Sequence, residues 1–373
     1  MNAPVPPGHI IDFTLPKALE AHEPPEARPV QSGGGPKVLP LPEASVGPRR
    51  TREDVRLLVG RRSSGTVSHH AFRELPELLR PGDLLVVNTS ATLPAAVHLD
   101  KIAVHFSTPS PEGDDRVWLV ELRLHTAKGS VPYLGGSPQE WIPLPGNATL
   151  TLLRRQTERL WTARLCTSVV PYLRRYGVPI RYGYVNRNWP AAAYQTVFAY
   201  DQNGDAGSAE MPSAARPFTT DLVTRLVSRG VLIAPITLHT GVASPEAHEP
   251  PYAERYEVPS TTAALVEHVR ARVPRGRVIA VGTTAVRALE TAVDADGHVQ
   301  ASKGWTEHIV TPHQDGRVRV VDGLLTGLHE PKSSHLMMLT AIAGHDLVKT
   351  TYEAALAERY LWHEFGDLNL LVP

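Results

Sequence analysis

Cysteine is almost missing from this chain of 373 residues: Cys166 is the only one. That excludes a disulfide within one chain and any zinc cage built from cysteine pairs. An excess of charge is missing as well. Lysine and arginine total 38, and so do aspartate and glutamate. No global field therefore draws in nucleic acid, and a polyanion has to meet a local patch. The opening MNAPVPPGHI has no basic segment followed by an apolar run, and nothing later approaches the length of a membrane span. The chain reads as soluble, unsecreted and cytoplasmic, with no membrane partner. Signature motifs are lacking too: there is no Gly-x-x-x-x-Gly-Lys-Ser/Thr phosphate loop, no dinucleotide fingerprint and no His-Glu-x-x-His pair among the 17 histidines. DQNGDAG at 201–207 has the acidic-glycine look of a calcium loop, but its twelfth position is Pro212 rather than glutamate. No metal is expected.

What is present is ordinary for a globular protein, with 42% hydrophobic and 20% charged residues. The length exceeds one usual domain, so two domains, or one with a large insertion, are expected. Residues 29–51 are dense in glycine and proline and sustain neither helix nor strand; they read as a surface loop, with a lid over a site as the alternative. VRLLVG and LRPGDLLVVN give strands around a short helix. From about 96 to 167 the texture turns to short β-rich runs between turns: VWLVELRL, WIPL, ATLTLL and LWTARLCT. Helices and strands then alternate to the end, the last helix expected over TYEAALAERYLW. The reading is an α/β main domain, 1–95 and 168–373, interrupted by a β-rich insert, 96–167.

Three segments carry candidate chemistry. In GRVIAVGTTAVRALE (276–290) an apolar strand exits at Gly282, and Thr283 or Thr284 begins a helix. Free backbone N–H groups, two hydroxyls and a helix N-terminus meet there, which suits a carboxylate, phosphate or sugar hydroxyl. Taken alone it is equally a capped helix without ligand, and Arg287 is either a ligand clamp or a solvated helix residue. In VVDGLLTGLHEPKSSHLMMLTAIAG (320–344), His329, Glu330 and Lys332 precede a helix start, a constellation fit for acid–base work or simply a polar loop. His239 ends the strand LIAPITL, where ligands of α/β sheets bind; a structural histidine is the alternative. The segment 172–189 holds Arg174, Arg175, Arg181 and Arg187 among four tyrosines and Trp189. Arginine meets phosphate and aromatics stack on bases, so it is the best nucleic-acid candidate, with packing as the plainer role.

Read together, these blocks resemble one family, the queuosine-pathway tRNA ribosyltransferase-isomerases (the QueA family). GRVIAVGTTAVRALE is close to that family's Gly-Thr-Thr segment, and the 320–344 block to its Asp-x-Leu-Leu-Thr-Asn-Phe-His-x-Pro-Lys-Ser. YQTVFA (Tyr194–Ala199), TLHTG, ERYEV and FGD (365–367) follow in order, as do DFTLP, RLLVG and LRPGDLLVVN near the start. The resemblance implies a barrel-like α/β main domain with an inserted small β-barrel domain. It implies S-adenosylmethionine as a ribosyl donor, and as acceptor the aminomethyl group of a 7-deazaguanine in tRNA, with adenine and methionine leaving. The carbon beside a sulfonium is acidified, so a base must take its proton and another group must help adenine leave. By residue type, Gly282, Thr283, Thr284, Arg287, Tyr194 and Gln195 are assigned to the donor. His239, His329 and Lys332 are assigned to acid–base roles, with Asp322 or Asp367 orienting them.

The departures are specific. Where the family reads Asn-Asp-Thr-Arg-Val-Ile-Pro-Ala-Arg this chain has NTSATLPAA, with Thr89 at the aspartate and Ala91 and Ala96 at the arginines. Pro217 replaces a histidine, and Arg216 precedes it. EPPY replaces His-x-Met-His, Ala243-Ser244-Pro245 replaces Gly-Thr-Phe, and Asn369 stands at a methionine. Losing two arginines removes charge that a phosphate-bearing acceptor wants. Alternatives to the family reaction are therefore an S-adenosylmethionine enzyme with a small-molecule acceptor, a lyase, or a non-catalytic protein binding S-adenosylmethionine or RNA.

Overall fold

The computed structural model describes residues 11–29, 50–126, 129–200, 207–242, 252–312 and 318–373. Most of the Gly/Pro-rich stretch, the acidic-glycine loop and the 243–245 departure lie outside them. The body begins with β1 (Arg56–Arg61), β2 (Thr66–Ala71), the one-turn α1 (Leu75–Leu78) and β3 (Leu84–Asn88). Seven strands interrupt it: β4 (Ala96–His98), β5 (Ile102–Pro109), β6 (Val117–Thr126), β7 (Gly129–Pro132), β8 (Trp141–Leu144), β9 (Ala148–Arg155) and β10 (Leu160–Leu165). After α2 (Val169–Tyr176) the body resumes with α3 (Thr220–Ser228), β11 (Leu232–Leu238), β12 (Glu254–Val258), α4 (Ser260–Ala271), β13 (Val278–Val281) and α5 (Thr283–Thr291). It closes with β14 (Ser302–Thr306), β15 (Gly323–Gly327), α6 (Ser334–Ala343), α7 (His345–Ala357) and β16 (Leu368–Val372).

The body strands form one curled, mixed sheet of nine in the order β14-β12-β11-β3-β13-β15-β16-β1-β2. β3 reads LLVVN and is buried at every position. Such an unbroken apolar strand requires cover on both faces, and it gets it. Leu84 and Val86 join a core under α4, α5, α6 and α7. Leu85 and Val87 join a second core, with Phe72, Phe218, Leu222 and Leu226, under α1 and α3. At the entrance to the sheet, Asp83 and Arg277 form a buried pair, the guanidinium Nε donating at 3.0 Å. It staples the start of β3 to the start of β13.

The intervening strands make a separate antiparallel sheet, order β4-β5-β6-β10-β9-β8 with β7 on β6. Its own core centres on Phe106, Trp118, Leu150 and Trp161, and α2 packs on it through Val169 and Leu173. The mixed α/β fold is thus as the sequence implies, and the β-rich run falls in a sheet of its own. Two details differ. β5 escaped the sequence reading because six successive positions in it are buried, leaving no alternation to see. The last helix starts earlier than expected, at His345, and ends at Ala357; Tyr360 and Trp362 beyond it are buried in the following loop. No helix among the described residues is long and apolar enough to cross a membrane.

Asn369, the second residue of β16, is fully buried and both amide atoms lack a hydrogen-bond partner among the described residues. A buried unpaired polar group costs about 1–3 kcal/mol. Asn369→Leu is expected to raise the unfolding free energy by about that amount; an unchanged or lower urea midpoint at constant m-value would contradict it.

Candidate active site

β3 lies between β11 and β13, with β15 next, and all four run parallel. Their carboxyl ends open on one edge, and the chain leaves the central strand to either side there, the usual ligand crevice of open α/β sheets. β16 is antiparallel to β15, with Leu368 opposite Gly327. The residues just before β16 therefore arrive at the same edge.

Asn88 ends β3 and is fully buried. Its Nδ2 donates to the Leu238 carbonyl at 2.9 Å and to Thr284 Oγ1 at 3.1 Å. Its Oδ1 accepts from the N–H groups of Ser90, at 3.0 Å, and Leu238, at 3.1 Å. One amide thus ties β3, β11 and α5 together. At the exit of β13, Gly282 has φ 91°, a backbone that favours glycine. The turn leaves the first N–H groups of α5 without a side-chain cap, so they are available to an anion or a hydroxyl.

This edge and the wall of the seven-stranded sheet enclose a cavity of about 410 Å3. The body lines it with Gly282, Thr283, Thr284, Thr326 and Tyr194, and the facing sheet with His105, Glu121 and Arg123. His329 and His335 stack inside it, centroids 4.4 Å apart and planes within 3°. His329 Nε2 lies 2.8 Å from Thr326 Oγ1. Desolvation, with His335 and then His363 adding to it, holds the His329 imidazole well below the ordinary histidine range; burial first, then Arg287, brings His335 down to about 4. His363, also brought down to about 4 by burial, stacks on Tyr184 at 3.9 Å. Beside it Glu364 is lifted by burial to about 7 and accepts the Tyr184 hydroxyl. His105 is driven to about 3, by burial and then by Arg123. Glu121 is paired with both Arg123, at 2.7 Å, and Arg159, at 3.2 Å. At neutral pH the body side of the cavity thus presents neutral imidazoles, phenols and hydroxyls.

The residues singled out from sequence divide among several places. Gly282, Thr283, Thr284, Tyr194 and His329 line this cavity. His239, Gln195 and Arg174 line a second cavity of about 450 Å3, beside Ala91. There His239 Nδ1 lies 2.8 Å from Ser90 Oγ, and Gln195 brackets the Thr92 backbone through bonds of 3.0 and 2.7 Å. Arg287 stands one layer behind the first cavity, paired with Glu254 and donating to the His308 carbonyl at 3.1 Å. Lys332 is exposed and meets Asp12 at 3.0 Å. Asp322 pairs with Arg275 at the opposite end of β15, and Asp367 is buried against Arg56 and the Leu361 N–H. Arg175 and Arg187 are exposed, and Arg181 donates to the Val185 carbonyl at 2.8 Å. His335, His363, Glu364 and the facing wall were not singled out as site residues, and Tyr184 only as one of the aromatics of the 172–189 segment; for His363 and Glu364 the sequence signal was a polar His-Glu pair directly before FGD.

The family model described as Queuosine biosynthesis protein matches residues 37–371. The chain belongs to that family. The S-adenosylmethionine:tRNA ribosyltransferase-isomerase of Symbiobacterium thermophilum is 35% identical over 340 residues, covering 87% of this chain and 95% of the relative. Its counterpart in Deinococcus radiodurans is 34% identical over 331 residues, covering 82% and 86%. A crystal structure of S-adenosylmethionine tRNA ribosyltransferase from Thermotoga maritima shares the fold, with a TM-score of 0.51 and 24% identity over 97% of this chain and 99% of that one.

In this family member Arg287 holds Glu254, whose other oxygen accepts the Gly241 N–H at 2.8 Å. Removing one partner of a buried pair costs about 3–5 kcal/mol. Arg287→Ala is expected to lose about that much stability, and adding Glu254→Gln to recover part of it. Strict additivity of the two in urea unfolding would show that the pair does not couple.

Proposed function

We propose that this chain is an S-adenosylmethionine-dependent ribosyltransferase-isomerase of queuosine biosynthesis, acting on tRNA, with its chemistry in the cavity between the body and the seven-stranded sheet. One observation carries the placement: the Gly-Thr-Thr block and the His-x-Pro-Lys-Ser block, 47 positions apart from Gly282 to His329, line one cavity. A volume of about 410 Å3 falls in the usual range for small-molecule sites, roughly 300–1,000 Å3. The cavity's polar atoms fit a ligand rich in donors and acceptors. Tyr194 Oη, Ser333 Oγ, His363 Nε2 and Glu364 Oε1 are buried without a hydrogen-bond partner among the described residues, and such groups call for one.

In this reading the exposed N–H groups at the start of α5, with Thr283 and Thr284, hold the donor's carboxylate or ribose hydroxyls. Arg287 acts on the site by fixing α5 to β12 through Glu254. His329 is the base that removes the proton beside the sulfonium, because its neutral imidazole is the form that accepts one. Arg174, at the second cavity, and the exposed Arg175 and Arg187 are the phosphate contacts for tRNA, and Arg181 positions their segment. The relatives' names carry tRNA; a small-molecule acceptor finds no support among them. A tRNA substrate places the protein in the cytoplasm.

The test is release of adenine and methionine from S-adenosylmethionine, with and without tRNA bearing the aminomethyl-deazaguanine. His329→Ala is expected to slow adenine release by about 10²–10⁴-fold with folding intact. The base must be unprotonated, and its affinity for a proton is held well below the usual value. Activity attributable to it should therefore persist as pH falls through 6.5 and be lost only further down. A His329→Ala rate equal to wild type would remove His329 from the chemistry.

Binding to tRNA should weaken steeply with salt, and each of Arg174→Ala and Arg175→Ala should lower the logarithmic salt slope by about 0.7–0.9. Unchanged slopes in a titration at several salt concentrations would move the phosphate contacts elsewhere.

A further inference from the structure

Glu364 brings a buried carboxyl to the cavity. Its Oε2 accepts the Tyr184 hydroxyl, while Oε1 is buried with no partner among the described residues. A carboxylate would leave a charged oxygen buried and unpaired there; a carboxylic acid with its proton on Oε1 leaves a donor aimed at a ligand. Beside it three rings lie nearly parallel. Tyr182 and Tyr184 have centroids 5.7 Å apart with planes 15° apart, and Tyr184 and His363 lie 3.9 Å and 12° apart. All four residues line the cavity. A flat aromatic stack next to a neutral acid is a binding surface for a nitrogen heterocycle, stacking on its face and donating to a ring nitrogen.

We propose that Glu364 is the proton donor to the purine that leaves, an assignment that rests on the ribosyl-transfer reading above. The C1′–N9 bond of the donor breaks and its electron pair departs with the purine. The Oε1 proton moves to a purine nitrogen, so neutral adenine leaves and Glu364 remains as carboxylate. The pair freed at C5′, when the base takes the proton beside the sulfonium, forms the C4′–C5′ double bond as C4′–O4′ breaks, and the pair left on that oxygen forms C1′=O as C1′–N9 breaks. Solvent returns a proton to Glu364 before the next turnover.

The groups facing Glu364 act in both directions. Burial favours the acid, whereas the Tyr184 hydroxyl and the buried Arg216 guanidinium favour the carboxylate. Tyr194 and Glu330 reach it through the same cluster, His22 holds the Tyr184 carbonyl at 2.6 Å, and the adjacent His363 is neutral. The acid is the working form, so activity should fall as pH rises through about 7.

Glu364→Gln keeps the shape and a donor but has no transferable proton. In the full-length protein it is expected to slow adenine release by about 100-fold or more, with S-adenosylmethionine affinity by calorimetry within about threefold, and to lose the alkaline limb of the pH profile. Tyr184→Phe, which removes a bond favouring the carboxylate, is expected to move that limb to higher pH. A wild-type rate in Glu364→Gln, or a loss of affinity matching the loss of rate, would overturn the assignment. Infrared titration supplies a readout independent of turnover: a protonated-carboxyl band at pH 6, fading through about pH 7 and absent from Glu364→Gln. Its absence from wild type would also overturn the proposal. Wild-type protein that shows the band yet releases no adenine with any tRNA would instead refute the ribosyl-transfer reading.

Discussion

The side chain of Asn88 is closed off from solvent at the end of the central strand, and its amide must satisfy groups from three elements at once. An amide has two donors and one two-sided acceptor, so both atoms are committed in only one orientation. That orientation sets where β11 ends relative to β3 and where the hydroxyl of Thr284 points. The start of α5, the turn at Gly282 and the loop after β15 are then placed against a fixed reference.

Charge is arranged in depth. Desolvation favours the neutral form of several groups that face the cavity from the body: His329, His335 and His363 are pushed down, Glu364 and Tyr194 pushed up. Paired charges sit one layer back, Arg287 with Glu254, Arg56 with Asp367, Arg216 with Glu26, while Glu210 and Glu330 reach the lining itself. A cavity walled this way offers hydrogen bonds and proton traffic without a strong field of its own. The facing sheet differs, since Glu121 brings a buried charge cluster of two arginines to the cavity's other side.

How much of this could be read in advance depended on whether a feature is local. Gly282-Thr283-Thr284 was legible because strand, turn and helix start are contiguous, and the positive φ needs the glycine the sequence displays. His329 was legible from its place before a helix start. His363 and Glu364 were not, because only the antiparallel pairing of β16 with β15 carries them to the same edge. Arg287, Asp322 and Asp367 have the residue types of a site, but each is engaged in a structural pair; spacing cannot tell a clamp from a staple. The β-rich interruption was legible from its turns, though β5 hid behind an unbroken buried run.

The cavity is bounded on one side by the body and on the other by a sheet with a separate core. A molecule bound there touches both, and its affinity is available only while the two stay docked. Its binding free energy therefore becomes interface free energy, rising as RT ln(1 + [L]/Kd) with the ligand's concentration. Parting the seven-stranded sheet from the body of the liganded protein then costs that binding free energy in addition. Occupancy and cohesion are in this protein one equilibrium seen from two sides.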